Sequence, residues 1–161
     1  MPEIVIKTND DIQYLINCPK EFRSAPKKES IINKNISRKF TVYSQKDNLA
    51  FNIFISYSLR MEQDFSLGLM YDGLLLYRCN GFHGTTRAGF FSAEHHAYPH
   101  SHTLSIEDIE CGRGKDPSNI EQLSGKYINL KTATLYFFDK CGIIGYEQYF
   151  EHLSQITFDE L

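Results

Sequence analysis

Polar and apolar residues alternate with period two over residues 38–44, "RKFTVYS", and again over residues 49–59, "LAFNIFISYSL". This predicts two strands paired across "QKDN", with Phe51, Ile53, Ile55 and Tyr57 on one face of the second. The strongest local pattern is "FSLGLMYDGLLLYRCN", residues 65–80, in which two strand-like runs flank Asp72-Gly73. That dipeptide suits a type I′ hairpin, because both central positions need positive φ. An unbroken hairpin then sets Tyr71 opposite Leu74, Leu69 opposite Leu76, Leu67 opposite Arg78 and Phe65 opposite Asn80. Arg78 and Asn80 share one face, apolar nearer the turn, and emerge at the strand end.

Elsewhere punctuation marks the elements. "EIVIK" reads as a short strand, and Thr8 or Asn9 caps a helix through "DDIQYLIN" that stops before Pro19. The polar, lysine-rich residues 19–35 read as a loop. "PHSHTLSI" reads as a further strand, with His100 and His102 pointing the same way as Leu104 and Ile106, and with Ser101 and Thr103 pointing oppositely. Ser105 with Asp108 resembles a capping box, and Gly112 ends that turn. "DPSNIEQLSG" predicts a helix with Asp116 at its N-cap and Gly125 as its stop. "KTATLYFFDKCG" fits strand or helix, and Leu130, Thr134, Phe137 and Cys141 make a helical stripe closed by Gly142. "YEQYFEHLSQI" predicts an amphipathic helix. The expected fold is α+β: one domain over residues 1–161, an antiparallel sheet of about five strands around the Asp-Gly hairpin, and helices mainly in the C-terminal third.

Composition narrows the class. The chain has 161 residues, 42% of them hydrophobic and 23% charged, as in a soluble globular domain, and no apolar run approaches the roughly 18 residues of a membrane helix. The start "MPEIVIKTNDD" has no signal-peptide pattern, so a cytoplasmic protein is expected. Cys18, Cys79, Cys111 and Cys141 form no CxxC pair, which excludes a zinc knuckle and points to reduced thiols. Charge is lopsided: residues 1–60 carry ten Lys/Arg against six Asp/Glu, and residues 61–161 carry seven against fourteen. The basic end gathers in Lys20, Arg23, Lys27, Lys28, Lys34, Arg38 and Lys39, a segment suited to a polyanion or an acidic partner.

The candidate chemistry is histidine. His83, His95, His96, His100 and His102 fall within twenty residues, beside Arg78 and Asn80. Metal-free phosphodiester cleavage fits this set best. One imidazole takes the proton of a ribose 2′-hydroxyl, a second protonates the leaving oxygen, and a guanidinium offsets charge on the phosphorane. His83, His100, His102 and Arg78 are the catalytic candidates. Asn80, Arg87, His96, Tyr77, Lys27 and Lys28 are the substrate-binding ones, with RNA or a nucleotide-like polyanion as the partner. Tyr77, Phe82, Phe90, Phe91 and Tyr98 supply aromatic surface for unstacked bases. No cofactor is required. A zinc site on His83, His100 and His102 is the fallback, since HxH spacing permits it, although Glu94 is the only nearby carboxylate. A non-catalytic module that binds a cognate protein, its histidines only ordering a sheet edge, is a further alternative. His152 reads as structural or solvated.

Two resemblances add to this. "FHGTT", residues 82–86, resembles the His-Gly-Thr motif of ADP-ribosyltransferase folds, and "PHSHTLS" resembles the HxH strand of RNA 2′-phosphotransferases. That likeness implies NAD as cofactor and roles for His83, Arg78 and His102. It covers about 30 residues, and the helix and Ile…Gly-Leu segment expected between the two motifs are missing. The ordered pattern "LYRCNGFHG", "PHSH", "LYFFDKCGI" is similar to that of an uncharacterised bacterial family, a domain of unknown function. This likeness spans most of the chain and implies a small bacterial or phage-associated protein, with no activity attached.

Overall fold

In a computed structural model, which describes residues 4–26, 29–61, 63–82 and 98–150, the chain is dominated by a single twisted sheet. In order, the elements are α1 (Asn9–Asn17), β1 (Lys20–Glu21), β2 (Ser30–Ile32), β3 (Asn35–Ser44), β4 (Ala50–Ser58), β5 (Phe65–Tyr71), β6 (Leu74–Asn80), β7 (His100–Thr103), α2 (Ile106–Glu110), β8 (Asn119–Gln122), α3 (Leu130–Lys140), β9 (Ile143–Ile144) and a 3₁₀ turn (Tyr146–Gln148). The strand order is β8-β7-β6-β5-β4-β3-β1-β9, and β2 shares with β1 the outer edge of β3. Every pairing is antiparallel except β1 with β9.

One face of this sheet carries the core. Phe40 and Val42 of β3, Phe51, Ile53 and Ile55 of β4, Leu67 and Leu69 of β5, and Tyr77 and Cys79 of β6 pack with Ile12, Leu15 and Ile16 of α1 and Ala133, Phe137 and Phe138 of α3. Both helices are set by their starts: Thr8 and Asn129 close capping boxes with Asp11 and Thr132, satisfying backbone donors that a helix N-terminus leaves open. The β3–β4 hairpin, α1 and the α3 stripe follow the sequence pattern. Among the described residues no helix is long and apolar enough to cross a membrane.

The expected architecture is overturned. Among the described residues the sheet has nine strands and is mixed rather than five and antiparallel, and the three helices are short, one of them near the N-terminus. The extra strands β1, β2, β8 and β9 are two to four residues long, too short to show a period. Residues 19–35 hold two of them rather than forming a plain loop. "NIEQ" is the edge strand β8, not a helix, and all four of its residues are exposed, so no apolar stripe marks it. "EIVIK" forms no strand at residues 4–7; Ile4 is tied instead to the Tyr71 hydroxyl. Residues 146–148 make only a 3₁₀ turn, Tyr149 and Phe150 continue no helix, and the part of that expected helix from residue 151 on lies outside the described residues.

The Asp72-Gly73 turn forms as expected, with φ of 49° and 78°. Its register does not hold. Tyr71 pairs Leu74 and Met70 pairs Leu75, but a bulge follows, and Leu69 pairs Tyr77, Gly68 pairs Arg78 and Ser66 pairs Asn80. The extra residue is Leu76, which is buried in the core beside Tyr77. Because side chains alternate, one inserted residue turns everything beyond it to the other face. Arg78 and Asn80 therefore lie on the face away from the core, not beyond an apolar stretch of the same face.

Candidate functional site

Opposite residues in antiparallel pairs share a face, so the register spells out the open face row by row. Ser30, Ser37, Ser56, Ser66, Asn80, His100 and Gln122 stand opposite one another across seven strands, β2 to β8. The neighbouring row is Lys39, Phe54, Gly68, Arg78, His102 and Ile120. The bulge in β6 is what brings Asn80 opposite His100 and Arg78 opposite His102 on this face.

The two imidazoles are close, with ring centroids 5.0 Å apart and planes at 70°. His102 Nδ1 lies 3.0 Å from the carbonyl of Pro117, and His100 Nδ1 lies 2.9 Å from the carbonyl of Tyr98. A carbonyl only accepts, so both Nδ1 atoms carry protons and Nε2 is the chemically variable atom of each ring. The hydrogen-bond network orients the Asn80 amide. Its Nδ2 donates to Ser66 Oγ at 2.8 Å and to the Cys79 carbonyl at 3.3 Å, which puts Oδ1 3.3 Å from Arg78 Nε and 3.1 Å from His100 Nε2. Both nitrogens of His100 then face acceptors, a pairing that suits the doubly protonated ring. Turned over, the amide donates from Nδ2 to a neutral Nε2. Either orientation of the amide thus gives His100 Nε2 a partner.

Two buried groups position this row. Tyr127 donates from its hydroxyl to the Asn80 carbonyl at 2.6 Å, and burial holds its phenol protonated well above the usual range. Asp108 accepts from Ser118 Oγ at 2.6 Å and from Ser118 N at 3.2 Å, fixing the residue after Pro117, whose carbonyl holds His102. Burial pushes the Asp108 carboxyl up, but the bonds from Ser118 and Ser105 outweigh it and leave the group more acidic than usual; Arg113 lies 3.3 Å away. The sequence marks Asp108 as a cap; its reach to the histidine support through Ser118 has no sequence signal.

His100 and His102 are buried, and the half-exposed Arg78 is where the row meets solvent. Ser56, Ser58, Asp64, Ser66, Arg78 and Asn80 line a polar depression of about 240 Å³. Burial lowers the Arg78 pKa, with Asp116 opposing that shift, and burial raises that of Asp64. Neither Asp64 nor the serines are marked by any sequence motif.

The candidates divide as follows. Arg78, Asn80, His100 and His102 come together. Tyr77 does not join them: the bulge turns it into the core, 2% exposed and stacked on Phe137 at 6.2 Å. His83, Arg87, His96, Lys27 and Lys28 lie outside the described residues, as do His95, the motif residues 83–86 and hence the full His83-His100-His102 metal set. Among the described residues no three His, Cys, Asp or Glu gather as a metal site. The basic segment is not one patch. Lys20 is wholly buried, Arg23 covers Tyr43, Arg38 covers Phe150, and Lys39 stands exposed on the open face.

Comparison with protein-family models, with curated proteins and with solved structures finds no match for this chain.

Proposed function

We propose that the chain is a metal-independent RNA phosphodiesterase acting at Arg78, Asn80, His100 and His102. The observation that supports this reading is the cross-strand row that sets two imidazoles 5.0 Å apart beside a guanidinium and an amide. His102, held through Nδ1, offers Nε2 as the base that takes the 2′-hydroxyl proton. The Asn80 oxygen supports the charged form of His100, the form that a general acid needs to protonate the leaving oxygen. Arg78 faces the solvent side of the row, where a phosphate enters, and a guanidinium there offsets charge developing on the phosphorane.

The reading is tested with single-stranded RNA and its 2′-deoxy counterpart. The wild-type chain should cut the first and leave the second intact, because the attacking hydroxyl is missing. His102→Gln and Arg78→Gln should each lower the cleavage rate by at least 100-fold while remaining folded, the scale of one general acid–base or charge-stabilising group. Folded variants that cut at the wild-type rate would assign the row to structure alone.

A further inference from the structure

We infer that the open sheet face is a track for single-stranded RNA, with a nucleobase seat on Phe54 next to the histidine row. This rests on the phosphodiesterase reading and supplies its substrate contacts. The first support is charge. The chain holds 20 Asp and Glu, yet β3, β4, β5, β6 and β7 contain none, and their open face carries Lys39 and Arg78. A face built this way tolerates a phosphate backbone, and two cations along one row give it points of attachment.

The second support is shape. Lys39, Thr41, Asn52, Phe54, Met70 and Ala25 line a cavity of about 480 Å³ on this face, within the range of small-ligand sites. Phe54 forms its aromatic wall. The ring lies across Gly68, where an added Cβ would come within 2.1 Å of Phe54 Cε1, so the glycine is what lets the ring lie over the sheet. An aromatic face of this kind stacks a base of any identity. Thr41 Oγ1 donates to Asn52 Oδ1 at 3.0 Å, anchoring an exposed amide beside the ring that can bond base edges.

The third support is continuity. Phe54 and Arg78 are two strands apart on the same row, roughly 10 Å at the usual strand spacing, with His102 one strand further. A chain seated on Phe54 reaches Arg78, where the row meets solvent, without leaving the sheet.

The test uses the full chain and a short, fluorescein-labelled, mixed-sequence RNA methylated at every 2′ oxygen, which binds but cannot be cut. Phe54→Leu should weaken binding about ten-fold, the size of one lost base stack, and Phe54→Tyr should restore it. Gly68→Ala should weaken binding similarly by lifting the ring, with an unchanged thermal transition. Lys39→Gln should reduce the slope of log Kd against log salt by about 0.7, while Lys46→Gln, in the β3–β4 turn, should bind as wild type. If ordinary RNA is cut but Phe54→Leu and Gly68→Ala bind as wild type, the track is wrong and the cleavage centre stands. If those variants weaken binding and no RNA is ever cut, the track stands and the cleavage reading falls. Failure of the wild-type chain to bind RNA overturns the track and leaves the face to a protein partner.

Discussion

Lys20 ties two helices together from inside the core. Its Nζ donates to the carbonyls of Ile16, Cys18 and Cys141 at 2.8, 2.9 and 2.7 Å, at the ends of α1 and α3, and sits 4.7 Å from the centre of the Phe51 ring. Burial lowers its pKa, and the three carbonyls and the Phe51 ring favour the ammonium against that cost. Lys20→Met keeps the stem and leaves three carbonyls without their donor; at about 1 kcal/mol each the loss is roughly 3 kcal/mol, a fall in Tm of roughly 6–12 °C for a chain this size. Thermal denaturation followed by circular dichroism measures it, and an unchanged Tm would mean the bonds contribute nothing net. Nothing in the sequence separates this lysine from its neighbours. "CPKEFR" reads as a solvated basic stretch because the partners are backbone carbonyls, one of them 121 residues away.

At the scale of elements, the Asp72-Gly73 hairpin shows how far local pattern reaches. The turn is legible because positive φ at both positions restricts the residues allowed. The bulge at Leu76 is not legible, because three successive leucines fit either face equally well. Skipping that residue in the pairing, rather than setting it opposite Leu69, decides whether Arg78 and Asn80 meet the core or the histidines. Deleting Leu76 removes the bulge and makes the observed pairs Leu69–Tyr77, Gly68–Arg78 and Ser66–Asn80 a regular ladder, so both polar residues keep their face. The expected result is a cooperative thermal transition at a Tm lowered by the lost burial of one leucine; loss of the cooperative transition would show that the pairs beyond the bulge depend on it. Gly73→Ala gives a milder case. No atom lies within 4 Å of the added Cβ, so only left-handed backbone strain is left, roughly 1–2 kcal/mol, read as a small shift in urea midpoint with unchanged slope. The pairing of His100 with His102 was legible, since the HxH spacing holds in any strand. Their partnership with Asn80 required the register.

For the whole molecule, the buried titratable groups set a stability profile. Burial raises the pKa of Cys18, of Cys79 to about 12, and of Cys141, and it also raises Tyr77 and Tyr127. Each of these contributes stability that is complete below its unfolded pKa, roughly 8.5 for a thiol and 10 for a phenol, and is lost as pH climbs toward the folded value. Lys20 works in the opposite direction, since raising the pH relieves the cost of its buried charge. Five groups outweigh one, so Tm should fall progressively above about pH 9; a Tm constant to pH 11 would contradict the burial of these groups. Across this same scale one face of the sheet is packed by α1 and α3, and the other carries the functional row, exposed at Lys39, half-exposed at Arg78 and buried at Asn80, His100 and His102. The most direct test of the phosphodiesterase reading is to incubate wild-type protein with single-stranded RNA in EDTA and determine the product ends. A metal-free histidine site cleaves with EDTA present and leaves 2′,3′-cyclic phosphate, whereas cleavage that EDTA abolishes, or no cleavage at all, would rule such a site out.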